Sequence, residues 1–309
     1  MNGKLQLYGL FQQKSIKSSL EAFIPPINQR PDILVQSNDV STAIEFQCSQ
    51  IPAVTIIERN MGYHLQKIAP LWILRTPSIK ELPPREIGFM KLSSFRQQFF
   101  LSSRNYGKMI ITYCPQTKYF HYLSNPVHIK TNLYIVKVKK LPIAKQSWPF
   151  AYVKRITFQE FETYLSMYRE QRFKHLANLF YYNKKGIQSP FLRVCYKWQI
   201  YPKNLPLFIG IPSAYAESFH VHAVEWQIQF IDYLNTLGIG INQATIFECK
   251  SFLYDRPIGS SNFKQRLEAV KSYLFVIQQC INQSEKVIYK SKIHIGKMNR
   301  YLYSQFLAN

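Results

Sequence analysis

Two carboxylates near the start of the chain, Asp32 and Glu45, have the spacing of facing residues in a β-hairpin. Residues 30–35 (RPDILV) and 42–49 (TAIEFQCS) have the composition of strands, and the polar segment between them predicts a turn. In an undistorted antiparallel register Asp32 lies across from Glu45, with Cβ atoms roughly 4.5–5.5 Å apart. Facing carboxylates repel each other, whereas Mg²⁺ is held by one or two carboxylates together with phosphate oxygens and water. The pair therefore predicts a site for Mg²⁺ or Mn²⁺. The alternatives are two solvated charges on an exposed face, or a bulge at Val40 that breaks the register.

The same residues resemble a known nuclease core. R-P-D, followed about thirteen residues later by E-x-Q on a second predicted strand, is similar to the PD-(D/E)xK core with Gln in place of the usual Lys. The longer pattern formed by residues 43–51 (AIEFQCSQI), 58–63 (ERNMGY) and 70–74 (PLWIL) is similar to the competence protein CoiA family of Gram-positive bacteria. The specific part of this resemblance covers about residues 20–75, and weaker similarity in spacing and composition continues to the C-terminus.

The resemblance implies a role in processing or recombining incoming DNA during natural transformation, in the cytoplasm, with recombination proteins as further partners. It also implies a segment upstream of the hairpin, with paired cysteines and a helix that bears a histidine. This chain begins with MNGKLQLY, where that helix would already be under way. Either the start of the chain is misplaced, or the chain is a shortened relative that lacks the upstream acid or base. A catalytically weak or inactive DNA-binding protein that assists recombination is the alternative to an active nuclease.

By the same resemblance, Asp32, Glu45 and Gln47 are the predicted catalytic residues of a metal-dependent phosphodiester cleavage. Asp32, Glu45 and the backbone carbonyl of Phe46 would hold the metal, which polarises the phosphate and activates the attacking water. Gln47 would orient the water or stabilise charge on the phosphate. A neutral amide donates a weaker hydrogen bond than lysine, so we expect slower chemistry. Glu21, on the preceding predicted strand, could supply a further carboxylate.

A helix predicted to begin at Pro52 adds two supporting residues. Arg59 and Tyr63 are four apart and therefore share one helical face. Their spacing is similar to a Q-x-x-x-Y arrangement in some PD-(D/E)xK nucleases, where the helix faces the site. The alternative is that Tyr63 packs on the sheet and Arg59 is solvated.

A large basic excess points to a polyanionic partner. The net charge is +22, and residues 81–309 hold 31 basic and 12 acidic residues, so most of the excess lies outside the predicted metal site. DNA is the favoured polyanion, single-stranded or branched, because phosphate contacts dominate such binding. An anionic membrane surface is the competing interpretation. No run of 18 apolar residues exists, so no membrane insertion is predicted, and five widely spaced cysteines indicate reduced thiols.

Two basic segments are candidate DNA contacts. Lys137 and Lys139 share one face of a predicted strand, although lysines also protect sheet edges. Lys184 and Lys185 follow Tyr181 and Tyr182, which could stack on bases. In the alternative, that segment is a helix C-terminus whose lysines favour the helix dipole and whose tyrosines pack inward.

The apolar patterning predicts the order α-β-β-β-α-β over about the first 75 residues, followed by a β-section and a mainly helical region. The resemblance implies that the first elements form a nuclease-like core with a mixed sheet, in an α/β (α+β) fold. Three prolines in residues 76–86 predict a linker. The expected parts are therefore a core at 1–78, a β-rich section at 87–145 and a helical basic domain at 146–309. Helices are expected over residues 158–180 and 213–237, and a further one begins near a cap at Ser260 or Ser261.

Overall fold

The structure, a computed structural model, describes residues 2–36, 39–102, 107–150, 153–182, 186–260, 262–282 and 288–308. The chain forms two compact units. The first comprises residues 1–126 and 136–155, and the second comprises 127–135 and 156–309. The first unit contains most of a mixed sheet, and the second is mainly helical, which confirms the predicted α/β fold with a helical region after the sheet.

Eight described strands form one sheet in the order β1-β2-β3-β4-β6-β7-β8-β5. Their bounds are Ser18–Leu20 (β1), Ile33–Val35 (β2), Thr42–Gln47 (β3), Ala69–Arg75 (β4), Ile87–Lys91 (β5), Met109–Cys114 (β6), Tyr119–Lys130 (β7) and Leu133–Pro142 (β8). The pairs β1–β2, β2–β3 and β6–β7 are antiparallel, whereas β3–β4 and β4–β6 are parallel. Parallel neighbours need a crossover connection, and α2 (Ala53–Leu65) connects β3 to β4 in this way.

Helices pack on the two faces of β2 and β3, following the alternation of side chains along a strand. The helix α1 (Asn2–Gln13) buries Leu7 and Phe11 in a cluster that includes Ile33 and Ile44. Tyr63 of α2 packs in a separate cluster that includes Ala43, the neighbour of Ile44. The helices α1 and α2 therefore approach β2 and β3 from different faces of the sheet.

The predicted linker connects two strands of this one sheet. Residues 76–86 lead from β4 to β5, which pairs at the far edge of the sheet, beside β8. The Val138 N–H of β8 donates to the Glu86 carbonyl at 2.7 Å. The β-section is therefore continuous with the core sheet through the β4–β6 pairing.

The second unit contains most of the remaining helices. They are α4 (Phe158–Tyr181), α5 (Pro190–Lys197), α6 (Ala223–Thr236), α7 (Ile246–Asp255), α8 (Phe263–Cys280) and α9 (Ile295–Ala308), with a short β9–β10 pair (Ile281–Asn282 and Lys292–Ile293). A four-residue helix, α3 (Ser94–Gln97), belongs to the first unit. Over the described part of the chain, no helix has both the length and the apolar character needed to cross a membrane.

Two predicted helix starts were wrong. The helix expected from Ser213 begins at Ala223, because His220 adopts a left-handed backbone and His222 caps the helix through its side chain. The cap of α8 is Asn262, whose side chain accepts from the Gln265 N–H at 3.1 Å, and is not Ser260, while Ser261 lies outside the described residues. Asn is among the strongest N-cap residues.

Candidate active site

Three carboxylates lie in one row across the ends of β1, β2 and β3. The strand registers place Leu20 opposite Ile33 and Ile33 opposite Ile44. One residue further along, the same registers bring Glu21 beside Asp32 and Asp32 beside Glu45. The Glu21 N–H donates to the Asp32 carbonyl at 3.2 Å, which extends the β1–β2 pairing to this row. The hairpin register is therefore the one expected, without a bulge at Val40.

The Asp32 carboxylate lies beside the backbone of β3 and meets a lysine from α1. Its Oδ2 accepts from the Phe46 N–H at 2.8 Å, and its Oδ1 lies 3.1 Å from the Lys4 ammonium. The same ammonium donates to the Glu21 carboxylate. The hydrogen bond to Glu21 is the main reason why the Lys4 pKa is raised, and contact with Lys4 lowers the pKa of Glu21. Lys4 therefore holds a positive charge between two carboxylates of the row.

The Glu45 carboxylate is held by α2 and is almost completely buried, with 3% of the residue exposed. Tyr63 donates its hydroxyl proton to one carboxylate oxygen, and the Arg59 guanidinium lies 3.2 Å from the other. Burial raises the pKa of Glu45 to about 7, although Tyr63 and Arg59 act in the opposite direction. Arg59 and Tyr63 thus share the helical face that the i, i+4 spacing predicts, and both contact Glu45 rather than only packing or facing solvent.

The side-chain amide of Gln47 is engaged within its own segment of the chain. Its Nε2 donates to the carbonyl of Ser49, two residues further along the chain, at 2.5 Å. The Phe46 side chain lies on the α1 side of the sheet, where its ring packs 6.3 Å from that of Tyr113. Only the backbone of Phe46 therefore contacts the row of carboxylates, and its N–H already donates to Asp32.

A cleft of about 440 Å³ opens beside Asp32. Its lining residues are Asn2, Gly3, Lys4, Asp32, Phe46, Cys48, Leu74, Arg75, Tyr113, Pro115 and Gln116. Lys4 and Arg75 are basic residues that could meet a phosphate group there, and Glu45 is not among the lining residues. Lys4 was missed by the sequence reasoning. The only signal that pointed towards it was the neutral Gln47, since a nuclease site without its usual lysine needs a cation from elsewhere.

The donor chemistry of Asp32, Glu45 and Phe46 fits a hard cation. All three would offer oxygen atoms, which Mg²⁺ and Mn²⁺ prefer. The negative charge of Asp32 also contributes to the raised pKa of Glu45, so this pair of carboxylates would be stabilised by a nearby cation. Within the described ranges no group of three or more His, Cys, Asp or Glu side chains is arranged to hold a metal ion. A metal here would therefore depend on two carboxylates, water and substrate phosphate.

The lysines predicted to contact DNA have different surroundings. Lys137 of β8 lies 3.4 Å from Glu86, whereas Lys139 is exposed. β8 lies between β7 and β5, so the alternative of edge protection is wrong for these two lysines. Lys184 and Lys185 lie outside the described residues.

Comparisons with known proteins agree with the nuclease-like geometry. Residues 1–156 match the family model for the nuclease-like domain of competence protein CoiA. Competence protein CoiA of Bacillus subtilis (strain 168) is 32% identical over 143 residues, which are 46% of this chain and 37% of that protein. The match therefore spans little more than a third of that relative. No solved structure matches the chain significantly. Because the family model matches half of its length, the chain belongs to the CoiA family, with the nuclease-like domain in residues 1–156.

Proposed function

We propose that this chain is a Mg²⁺-dependent nuclease-like protein that processes DNA for recombination during natural transformation, in the cytoplasm. The observation that supports the proposal best is the adjacency of Asp32, directly before β2, and Glu45 of β3, with Asp32 lining a cleft that contains Lys4 and Arg75. The family description and the name of the Bacillus subtilis relative agree with a role in competence.

Asp32, Glu45 and the Phe46 carbonyl would hold the cation. When bound, Mg²⁺ or Mn²⁺ would polarise the phosphate and lower the pKa of the attacking water. Neighbouring residues position the two carboxylates and favour the charged form of one of them. Phe46 fixes Asp32 through its N–H, and the Tyr63 hydroxyl and Arg59 favour the charged form of Glu45.

Lys4 supplies the positive charge that Gln47 cannot supply. Hydrolysis forms a bond from the water oxygen to phosphorus and breaks the bond to the leaving sugar oxygen, while negative charge grows on the phosphate. A cation already in place stabilises that charge without reorganisation. The ammonium of Lys4 lines the cleft, and its raised pKa keeps it protonated, whereas the Gln47 amide is bonded to Ser49.

The test is cleavage of linear, single-stranded and branched DNA with Mg²⁺ or Mn²⁺. Glu45→Ala should abolish cleavage, because Asp32 alone cannot hold the ion. Glu45→Gln, which keeps the volume of the buried side chain, should do the same. Glu58→Ala is the matched control, since Glu58 is exposed on α2. Cleavage that survives in Glu45→Gln at the level of the control would contradict this site.

A catalytically weak DNA-binding protein that assists recombination is the second candidate. The bond from Gln47 to Ser49 and the raised pKa of Glu45 favour it, because both weaken the site as a catalyst at neutral pH. In this case the chain would bind DNA with steep salt dependence and cleave none of the substrates with either metal. The carboxylate row would then be a remnant of a nuclease ancestor.

A further inference from the structure

Several aromatic side chains are exposed where α4 ends. Tyr181 is 73% exposed, Tyr182 is 78% exposed, and Phe180 beside them is 44% exposed. The rings of Phe180 and Tyr181 meet edge to face, with centroids 5.0 Å apart. Tyr181 and Tyr182 are exposed, so the alternative in which the tyrosines at this helix end pack inward is wrong.

A fourth ring joins them from a separate segment. Tyr201 is 61% exposed, and its centroid lies 5.9 Å from that of Phe180. The turn that follows it, Pro202–Asn204, packs against α4. Phe180, Tyr181, Tyr182 and Tyr201 together form what we call the aromatic surface of the second unit.

The charge around the aromatic surface is basic. Lys203 follows Tyr201 after one residue, is exposed, and forms no ion pair with any residue in the described segments. Along the sequence, Lys184 and Lys185 come directly after Asn183 and Tyr182. Residues 151–309 hold 20 basic and 10 acidic residues. A partner with negative charge and flat apolar faces fits this combination.

We propose that the aromatic surface binds single-stranded DNA, with Tyr181 and Tyr182 stacking on unpaired bases and Lys203 meeting a phosphate. Base stacking on aromatic side chains, combined with basic residues along the backbone, is how proteins bind single strands without sequence preference. In a duplex the base faces are already stacked and cannot reach the rings. The surface lies in the second unit, beyond residues 1–156, so this inference does not depend on cleavage by the carboxylate row.

The test is fluorescence anisotropy of a labelled oligothymidine and a labelled duplex, with the full chain in EDTA. Tyr181→Ala/Tyr182→Ala should weaken single-strand binding about tenfold for each ring that stacks, and change duplex binding little. Tyr181→Phe/Tyr182→Phe should retain the affinity, because a phenyl ring still stacks. Phe247→Ala is the matched control, since Phe247 is 70% exposed on α7 of the same unit. Lys203→Gln should reduce the salt slope by about 0.7 for a single strand.

The outcomes separate this proposal from that for the nuclease site. Loss of single-strand affinity in the alanine variant, retained in the phenylalanine variant, supports stacking whether or not the protein cleaves DNA. Equal affinities for the wild type and the alanine variant overturn the proposal. A loss no larger than that of Phe247→Ala also overturns it, and so does an equal loss for duplex DNA. Far-ultraviolet circular dichroism of each variant, matched to the wild type, ensures that the comparison concerns folded protein.

Discussion

The hydrogen bond from Tyr63 to Glu45 should influence the pH at which Glu45 becomes a charged carboxylate beside Asp32. Tyr63→Phe removes the hydroxyl and keeps the ring, which is fully buried. Burial is the largest cause of the raised pKa of Glu45, and the Tyr63 hydroxyl is the strongest influence that lowers it. The variant should therefore raise the pKa of Glu45 further.

The size of this effect follows from the strength of the bond. A hydrogen bond to a charged group contributes about 1.5–3 kcal/mol, and one pKa unit corresponds to about 1.4 kcal/mol. From a pKa of about 7 in the wild type, Glu45 should move to roughly 8–9 in Tyr63→Phe. A protonated Glu45 cannot hold a cation, so the acid limb of any Mg²⁺-dependent cleavage should shift upward by the same amount.

The assay is a ¹³C NMR titration of the Glu45 carboxyl carbon, assigned by its disappearance in Glu45→Gln. Tyr122→Phe is the matched control, because Tyr122 is buried in the same sheet and its hydroxyl bonds to Gln146 instead. A midpoint for Glu45 in Tyr63→Phe that equals the wild-type value, or falls below it, would refute the reasoning. A comparable shift in Tyr122→Phe would show that loosened packing, rather than the lost hydroxyl, moves the pKa.

Three further predictions concern stability, catalysis and binding. The pKa of Glu45 in the folded protein lies above its ordinary value, so Glu45 contributes to the free energy of unfolding below pH 4.5, and this contribution is lost as pH rises through about 7. Urea unfolding at several pH values should show that Glu45→Gln removes roughly 3 kcal/mol of this pH dependence. Identical pH profiles of stability for the variant and the wild type would contradict the prediction. Lys4→Gln should slow cleavage about 10²-fold, whereas Lys80→Gln, at an exposed lysine that does not line the cleft, should leave the rate unchanged. Adding Gln47→Lys to Lys4→Gln should restore activity. A Lys4→Gln variant that cleaves at the wild-type rate would remove Lys4 from the mechanism. DNA affinity should fall steeply between 50 and 200 mM salt, by roughly 10³-fold if about six phosphates are contacted, and a flat response would exclude electrostatic binding.

Local patterns were sufficient for several features of the site. The turn between the two strands sets their register, so the neighbourhood of Asp32 and Glu45 followed from counting residues. The i, i+4 spacing of Arg59 and Tyr63 placed them on one helical face, and the structure shows that this face meets Glu45. The order of helices and strands along the first 75 residues followed from the apolar patterns, and the family resemblance implied the fold class.

What the sequence by itself determined, then, were relations between residues close in the chain, because strand alternation, turn length and helical period act over short distances. Tertiary structure alone decided that Lys4 meets Asp32 at 3.1 Å from 28 residues away, and that β5 pairs at the far edge of the sheet and not beside β4. It also decided that Tyr181 and Tyr182 remain exposed. These outcomes depend on which packing of distant elements buries the most apolar surface, and apolar residues alone do not specify which partner they will meet.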